Sequence, residues 1–457
     1  MNKNIESTLT ISGWIIRMVI LIGLAVAGAA CASATPVSSQ LAGVIGCDVS
    51  KVTITGVHWF KDSHGAWRVV GVITNNSSKA VSKVVTGVET YTKSGQPADQ
   101  GEDVSAYPDD LKPGAQAPFA AWIDREIPGL DHFDVEGDEC ILADSAERGS
   151  VDVRGGRMAL DNAGAAQVTA ELFNPSTKAI LVNGLMAAVY DQAGNLVAAD
   201  YVNVATRYLE PGESGPVRAS LDLPTGGAQQ IKSYKFFMDP LISQPAPLPL
   251  NVSQDVKIIS HYTDQKGQFH LVGQITNPGT KELMTSLQAT VYTDSTKSSV
   301  ADAAFFDTTV PIQPGESLPF DLTGWGALNN TRGLWDQLAR KNAAISLRLE
   351  PFLTWTEATR VAKLSLSDGS VSFNDQLVLF TGKVRNDMNG RINAGEVVAV
   401  VRQKANGQIV ATGSQPLTIT DSAAPGQVLD YSITVALPAN LDPATLDTEV
   451  SAVGQQP

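Results

Sequence analysis

Apolar positions along this chain recur with a period of two. In front of Asn75, Asn174, Asn277 and Asn386, the residues two, four and six places back are Ile73, Gly71 and Val69; Leu172, Ala170 and Val168; Ile275, Gly273 and Leu271; and Val384, Gly382 and Phe380. Between and beside them stand Thr74, Glu171, Gln274, Lys383 and Arg385. This alternation predicts strands with one face on a core and the other toward solvent, as in antiparallel sheets. A second alternating strand follows in each stretch, at Leu185, Ala187, Val189, at Leu287, Ala289, Val291, at Val397, Ala399, Val401 and, more weakly, at Thr86, Val88, Thr90. Turns follow at Ser94-Gly95, Ala193-Gly194 and Asn406-Gly407, where glycine supplies the positive φ of a hairpin. Helical periodicity is confined to Thr331 to Lys341, the single short helix expected.

The four asparagines step by 99, 103 and 109 residues, and each is followed by a Pro-Gly pair 38, 37, 37 and 39 residues on: Pro113-Gly114, Pro211-Gly212, Pro314-Gly315 and Pro425-Gly426. Pro118-Phe119, Pro216-Val217, Pro319-Phe320 and Asp430-Tyr431 then occupy one equivalent place. A unit of this length exceeds a solenoid repeat and fits a whole small sandwich. The expected fold is therefore all-β, with four tandem Ig-like antiparallel β-sandwiches over residues 47–146, 147–240, 253–355 and 356–457. A proline-rich linker at 241–252, flanked by Pro240 and holding Pro245, Pro247 and Pro249, predicts a semi-stiff spacer and a molecule hinged in two halves.

The pattern resembles the FxLYD-like family of bacterial and archaeal surface domains. The resemblance rests on Gly-x-x-x-Asn ending one strand, on Val189-Tyr190-Asp191-Gln192-Ala193-Gly194 as strand and hairpin, and on Leu209-Glu210-Pro211-Gly212-Glu213 leading into the next strand. Copies two and three match best, and copy one keeps Tyr91, Gly95 and Leu111-Lys112-Pro113-Gly114. Copy four departs, with Arg402 where the others carry tyrosine. The resemblance implies Ig-like sandwiches on extracytoplasmic, often lipid-anchored proteins, without family-wide catalytic residues.

The ends and the composition narrow the function. Residues 18–47 carry no charge, and Met18 to Ala30 is an apolar core behind Lys3 and Arg17, so residues 1–34 read as a signal peptide or membrane anchor, with 35–46 a linker. Three outcomes stand open: lipidation at Cys31 after Gly28-Ala29-Ala30, cleavage after Ala32-Ser33-Ala34, or an uncleaved anchor. All three place the body outside the membrane, anchored to it or secreted. A formal charge of -14, without a basic run, argues against nucleic acid as a partner. Of three cysteines, Cys47 and Cys140 bracket the first sandwich and are expected to form a disulfide closing 93 residues, worth about 4 kcal/mol in the chain-entropy model.

Chemistry is thin. Asp387, Asn389, Asn393 and Glu396 resemble the later part of a calcium loop, but Arg385 stands where the first carboxylate belongs. His58 and His261 sit at corresponding places and point to packing, while His64, His132 and His270 have no cysteine or acidic partner at metal-ligand spacing. Asp134, Glu136, Asp138 and Glu139 alternate along a strand edge and read as a solvated, aggregation-resistant rim. No nucleophile elbow, zinc-protease motif or phosphate loop occurs, and no cofactor is expected. The chain reads as a non-catalytic surface scaffold or spacer with a protein or cell-wall partner. The alternative is an adhesin or carbohydrate-binding protein using Trp325, Trp335 and Trp355.

Overall fold

The computed structural model describes residues 46–456 apart from 109, 144–146, 162, 203–205, 244–254, 265–268, 324–343, 352–359, 375 and 421. The Thr331 to Lys341 segment, Cys31 and the three tryptophans of the third copy lie outside the described residues. What is described is built from antiparallel strands, as the period-two pattern requires.

Each copy divides into two sheets. The one that carries the Gly-x-x-x-Asn strand is called A and the other B. In the first copy, A is β1 (Val52–Lys61), β2 (Trp67–Asn75) and β6 (Gln116–Ile123); B is β3 (Val81–Thr92), β4 (Pro97–Ser105), β5 (Asp110–Leu111) and β7 (Leu130–Leu142). In the second, A is β8 (Asp152–Leu160), β9 (Ala166–Phe173) and β13 (Ser214–Leu221); B is β10 (Ile180–Tyr190), β11 (Leu196–Tyr201), β12 (Tyr208–Leu209) and β14 (Ser233–Ile242). In the third, A is β15 (Val256–Thr263), β16 (Phe269–Thr276) and β19 (Ser317–Thr323); B is β17 (Thr285–Tyr292), β18 (Val300–Asp307) and β20 (Ile345–Pro351). In the fourth, A is β22 (Ser365–Asn374), β23 (Leu377–Arg385) and β26 (Val428–Ala436); B is β21 (Arg360–Lys363), β24 (Ala394–Gln403), β25 (Ile409–Pro416) and β27 (Leu446–Gln456).

The repeated landmarks hold these sheets together. Asn75, Asn174, Asn277 and Asn386 are all buried. Each side-chain amide donates twice to backbone carbonyls: to Lys79 and Leu111, to Lys178 and Leu209, to Lys281 and Ile312, and to Gly390 and Ala423. Each side-chain oxygen accepts a backbone N–H two residues on, from Ser77, Ser176, Gly279 and Met388. The glycine of each Pro-Gly pair donates its N–H to the carbonyl of the same asparagine. That bond ties the asparagine to a turn whose glycine has a positive φ, which explains why the Asn-to-Pro interval stays nearly constant while the rest of each copy drifts.

A second landmark is a matched pair. Gly71 lies opposite Phe119, Gly273 opposite Phe320 and Gly382 opposite Tyr431, whereas Ala170 lies opposite Val217. A Cβ at any of the three glycines would fall inside van der Waals distance of the facing ring. The small residue makes room for an aromatic side chain that fills the core, and where the partner shrinks to valine an alanine fits. In the first copy, Cys47 and Cys140 are disulfide-bonded with Cα atoms 5.4 Å apart, within the range such a bridge spans.

Successive sandwiches are not beads on a string. The A sheet of each copy packs face to face on the B sheet of the next: β2 and β6 on β11, β9 and β13 on β18 and β17, and β15, β16 and β19 on β25. Phe60, Val70 and Ala120 of the first copy join the second copy's core, and Tyr262 and Val272 of the third join the fourth's. As a result β17 is buried at every position, and β10 and β24 are buried along most of both faces. The expected hinge is corrected here. Pro240 lies within β14, paired with Val182, where an edge strand tolerates a missing N–H, while Pro245, Pro247 and Pro249 lie outside the described residues. Sandwiches two and three meet through their sheets.

Replacing Asn174 by alanine removes its bonds to the Lys178 and Leu209 carbonyls and to the Ser176 N–H, all at a buried crossing, so a loss of about 3 kcal/mol is expected. The same change at exposed Asn76, whose side chain donates to Thr53 Oγ1, should stay within about 0.5 kcal/mol. Thermal or urea denaturation of the two variants beside the parent chain measures the contrast.

Candidate functional site

Arg125 gathers Asp99 and Glu102 within the first sandwich, and further polar clusters lie at the three junctions. At the first, Arg68 on β2 reaches Asp62 at 3.1 Å in its own sandwich, and Asp200 at 2.9 Å and Asp222 at 3.4 Å in the next. Asp62 also accepts the backbone N–H groups of His64 and Ala66, which closes the β1–β2 turn. Burial raises Asp200 above the ordinary carboxylate range, against the pull of Arg68. His58 meets Gly56 O through Nδ1 and Val197 O through Nε2, and Tyr201 donates to Ser105 O.

At the second junction, Arg348 on β20 pairs with Glu213 at 2.8 Å and also donates to Gln288 and to the Tyr208 carbonyl. Tyr292 donates to Glu171, Thr169 to Val300 O, and Thr206 to Gln288. Arg218 stands 3.7 Å from Asp302, a carboxyl that burial pushes up. A cleft of about 550 Å³ opens beside this network, lined by Glu171, Glu213, Tyr292, Lys297 and Arg348 among others. Its volume suits a small ligand. Its charged groups nevertheless engage one another: the Lys297 ammonium stands 5.3 Å from the Tyr292 ring, whose hydroxyl is held by Glu171.

At the third junction, His270 on β16 lies between Asp321, 2.7 Å from Nδ1, and Asp264, 3.7 Å from Nε2. Tyr262 stacks on the imidazole at 4.6 Å and donates to Ala436 O of the fourth sandwich. Burial depresses the imidazole pKa, but the hydrogen bond and charge of Asp321, aided by Asp264, outweigh it and leave His270 raised. Burial likewise holds Asp321 above its ordinary value.

Sequence spacing did not disclose these sites. His270 has two acidic neighbours after all, one of them 51 residues away, and His132 stands 3.0 Å from Asp131. Asp62, His64 and Asp222 bring one ligand atom each within 4.8 Å of one another, the one such group among the described residues, with Arg68 paired to two of its carboxylates. His58 and His261 are not equivalent: His58 lies opposite Val70, on the outward face, and His261 opposite Leu271. The bulges in β1 and β15 each carry one extra residue against the partner strand, but His58 stands 17 residues before Asn75 and His261 only 16 before Asn277. One residue of slip turns the side chain to the other face, so the true counterpart of Tyr262 is Phe60.

The remaining candidates are placed as follows. Asp387 accepts from the backbone N–H of Ser365 and pairs with Arg385 at 2.9 Å, and these contacts hold its carboxyl below the ordinary range. Asn389 is exposed, the N–H of Asn393 donates to Gln455 O, and Glu396 is buried within β24 opposite Pro416 and Val453. Asp134, Glu136, Asp138 and Glu139 project from β7, an edge strand, and are exposed.

No protein-family model matches this chain, and no curated protein does. Among solved structures, a chain described as "Biofilm associated protein - BSP domain" is similar over 93% of this chain and 97% of that one, at 9% sequence identity and a TM-score of 0.12. A score that low does not amount to a shared fold.

Two outcomes are expected at the junctions. Arg68→Met leaves Asp62, Asp200 and Asp222 without their cation and should cost about 3–5 kcal/mol, read as a lowered melting temperature. A raised His270 stabilises fully below the unfolded value of about 6.5, and that contribution is lost as pH rises through the higher folded value. Stability should therefore decline above about pH 6.5, and His270→Gln should flatten the decline in melts taken across pH.

Proposed function

We propose that this chain is a non-catalytic extracytoplasmic protein whose four sandwiches act as one stacked spacer, presenting its far end to a protein or cell-wall partner. We further propose that its copies belong with FxLYD-like domains. The observation that carries the reading is the face-to-face packing of A sheets on B sheets at all three junctions, bolted by Arg68, Arg348 and Tyr262. A chain of independent binding modules needs no such bolts, whereas a spacer that must keep its length does. The Asn, Pro-Gly and Gly–aromatic landmarks all serve the fold, which leaves no repeated residue set aside for chemistry. The Cys47–Cys140 bridge supports an oxidising compartment, since such bonds are rare in reducing ones.

In cells, trapping of free thiols followed by fractionation should find Cys47 and Cys140 oxidised in the extracytoplasmic fraction. The purified chain should show no hydrolase or transferase activity and no saturable signal on a glycan array. A reduced, cytoplasmic chain would overturn the compartment. Saturable glycan binding lost in Lys297→Ala, with an unchanged melting temperature, would replace the spacer by a ligand-binding protein acting through the cleft at the second junction.

A further inference from the structure

Within the chain, three A faces are each covered by the B sheet of the next copy. The outer face of the fourth A sheet is covered by no sheet among the described residues. The consequence is visible at equivalent positions seven residues before the buried asparagine: the Arg68 side chain is 14% exposed, Gln167 4% and His270 5%, whereas Leu379 is 38% exposed. Three of the ten large hydrophobic residues left exposed among the described residues, Leu377, Leu379 and Val428, lie on this outer face, whereas Val371 and Phe373 of the same sheet stand opposite the core residues Phe380 and Val378. Along its outer face, Leu377 and Leu379 on β23 continue into Lys383 and Arg385, with Val428 and Asp430 beside them on β26.

The outer face of the first B sheet is likewise covered by no sheet among the described residues. Glu89 on β3 lies opposite Asp134 on β7, and Gly87 lies opposite both Glu136 and Asp103, so the outward surface of the first B sheet carries a block of carboxylates. The internal junctions show how such faces meet. A cation on the A face reaches a carboxylate on the B face in Arg68 to Asp200 and in Arg218 to Asp302, with one reversed pair, Arg348 to Glu213. The free ends have the same polarity, with cations on A and carboxylates on B. Lys383 and Arg385 are now paired with Asp368 and Asp387, and these contacts are well exposed and hence weak.

We propose that the fourth A face docks on the first B face of a second copy of this chain, continuing between molecules the A-on-B packing that joins the sandwiches within one. The occupant is a second copy because the interface repeats three times in this fold and the two unfilled faces are its complementary halves. The contact is heterologous, so each docked molecule still presents a free face at its other end and the assembly grows head to tail. The inference rests on the stacked fold and not on the spacer reading.

Sedimentation velocity of the purified full chain over a concentration series is the test, with two variants whose melting temperatures are checked against the parent. Leu379→Arg removes the A end, with the milder Leu379→Ser as its companion should the first unfold the sheet. The double substitution Asp134→Lys, Glu136→Lys removes the B end. The parent should form a ladder of species that grows with concentration, each end variant alone should lose association, and an equimolar mixture of the two should stop at a dimer. A parent that stays monomeric throughout overturns the proposal. So does a B-end variant that still dimerises, which would mean A faces pairing with each other, or association that survives both substitutions, which would place the contact elsewhere.

Discussion

The fold depends on one buried amide in each copy. Asn75, Asn174, Asn277 and Asn386 sit where the A sheet ends and the chain crosses to B, at the point where backbone groups leave the ladder and would otherwise be buried without partners. One side chain supplies two donors and an acceptor there, and its own carbonyl takes the N–H of the Pro-Gly turn. Asparagine suits the task because an amide both donates and accepts; aspartate would bring an uncompensated charge into the core. With the crossing fixed, the distance to the turn is fixed, and the strand after the turn is delivered opposite the Gly-x-x-x-Asn strand in a register that sets glycine against aromatic ring.

From that frame the sheets acquire two unlike faces. The inward face is filled by the alternating positions, Val69 and Ile73 in the first copy or Phe380 and Val384 in the fourth, and needs only complementary volume. The outward A face carries residues that a single sandwich would leave in water: Arg68, Thr169, Glu171, His270. Stacking the copies withdraws these groups from solvent, which is costly unless each finds a partner. The junctions therefore contain ion pairs and side-chain-to-carbonyl bonds in place of a continuous apolar seam, and Asp200, Asp302 and Asp321 are pushed toward their neutral forms.

The division between what was legible in the sequence and what was not follows the same line. Strand alternation, the asparagine spacing and the Pro-Gly pairs are local or periodic, so the all-β class, the four copies and the cysteine pair bracketing the first of them could be read directly. The outward faces could not. Glu171, Gln274 and Lys383 read as solvent positions because alternation reports only that they point away from their own core, and Glu171 in fact receives the Tyr292 hydroxyl. The histidines were a matter of register: His58 stands 17 residues before its buried asparagine and His261 16, so they fall on opposite faces of their strands, a difference that the spacing itself carries. Asp200 and Asp222 reach Arg68 from the next copy, a placement that only the stacked topology produces, and Asp321 reaches His270 from β19, its neighbour in the same sheet though 51 residues away.

The three junctions are built alike in geometry but are locked by different residues. Arg68 with Asp200, Arg348 with Glu213 and Tyr262 with Ala436 have no common register, and each half of a lock is useful only against its own neighbour. The order of the copies is thus written into their faces. Exchanging the second and third sandwiches by recombination, or duplicating either, would bring surfaces together whose buried charges lack counterparts, even though every domain would still possess a sound interior. An array locked in this way works as one unit and not as a set of interchangeable parts.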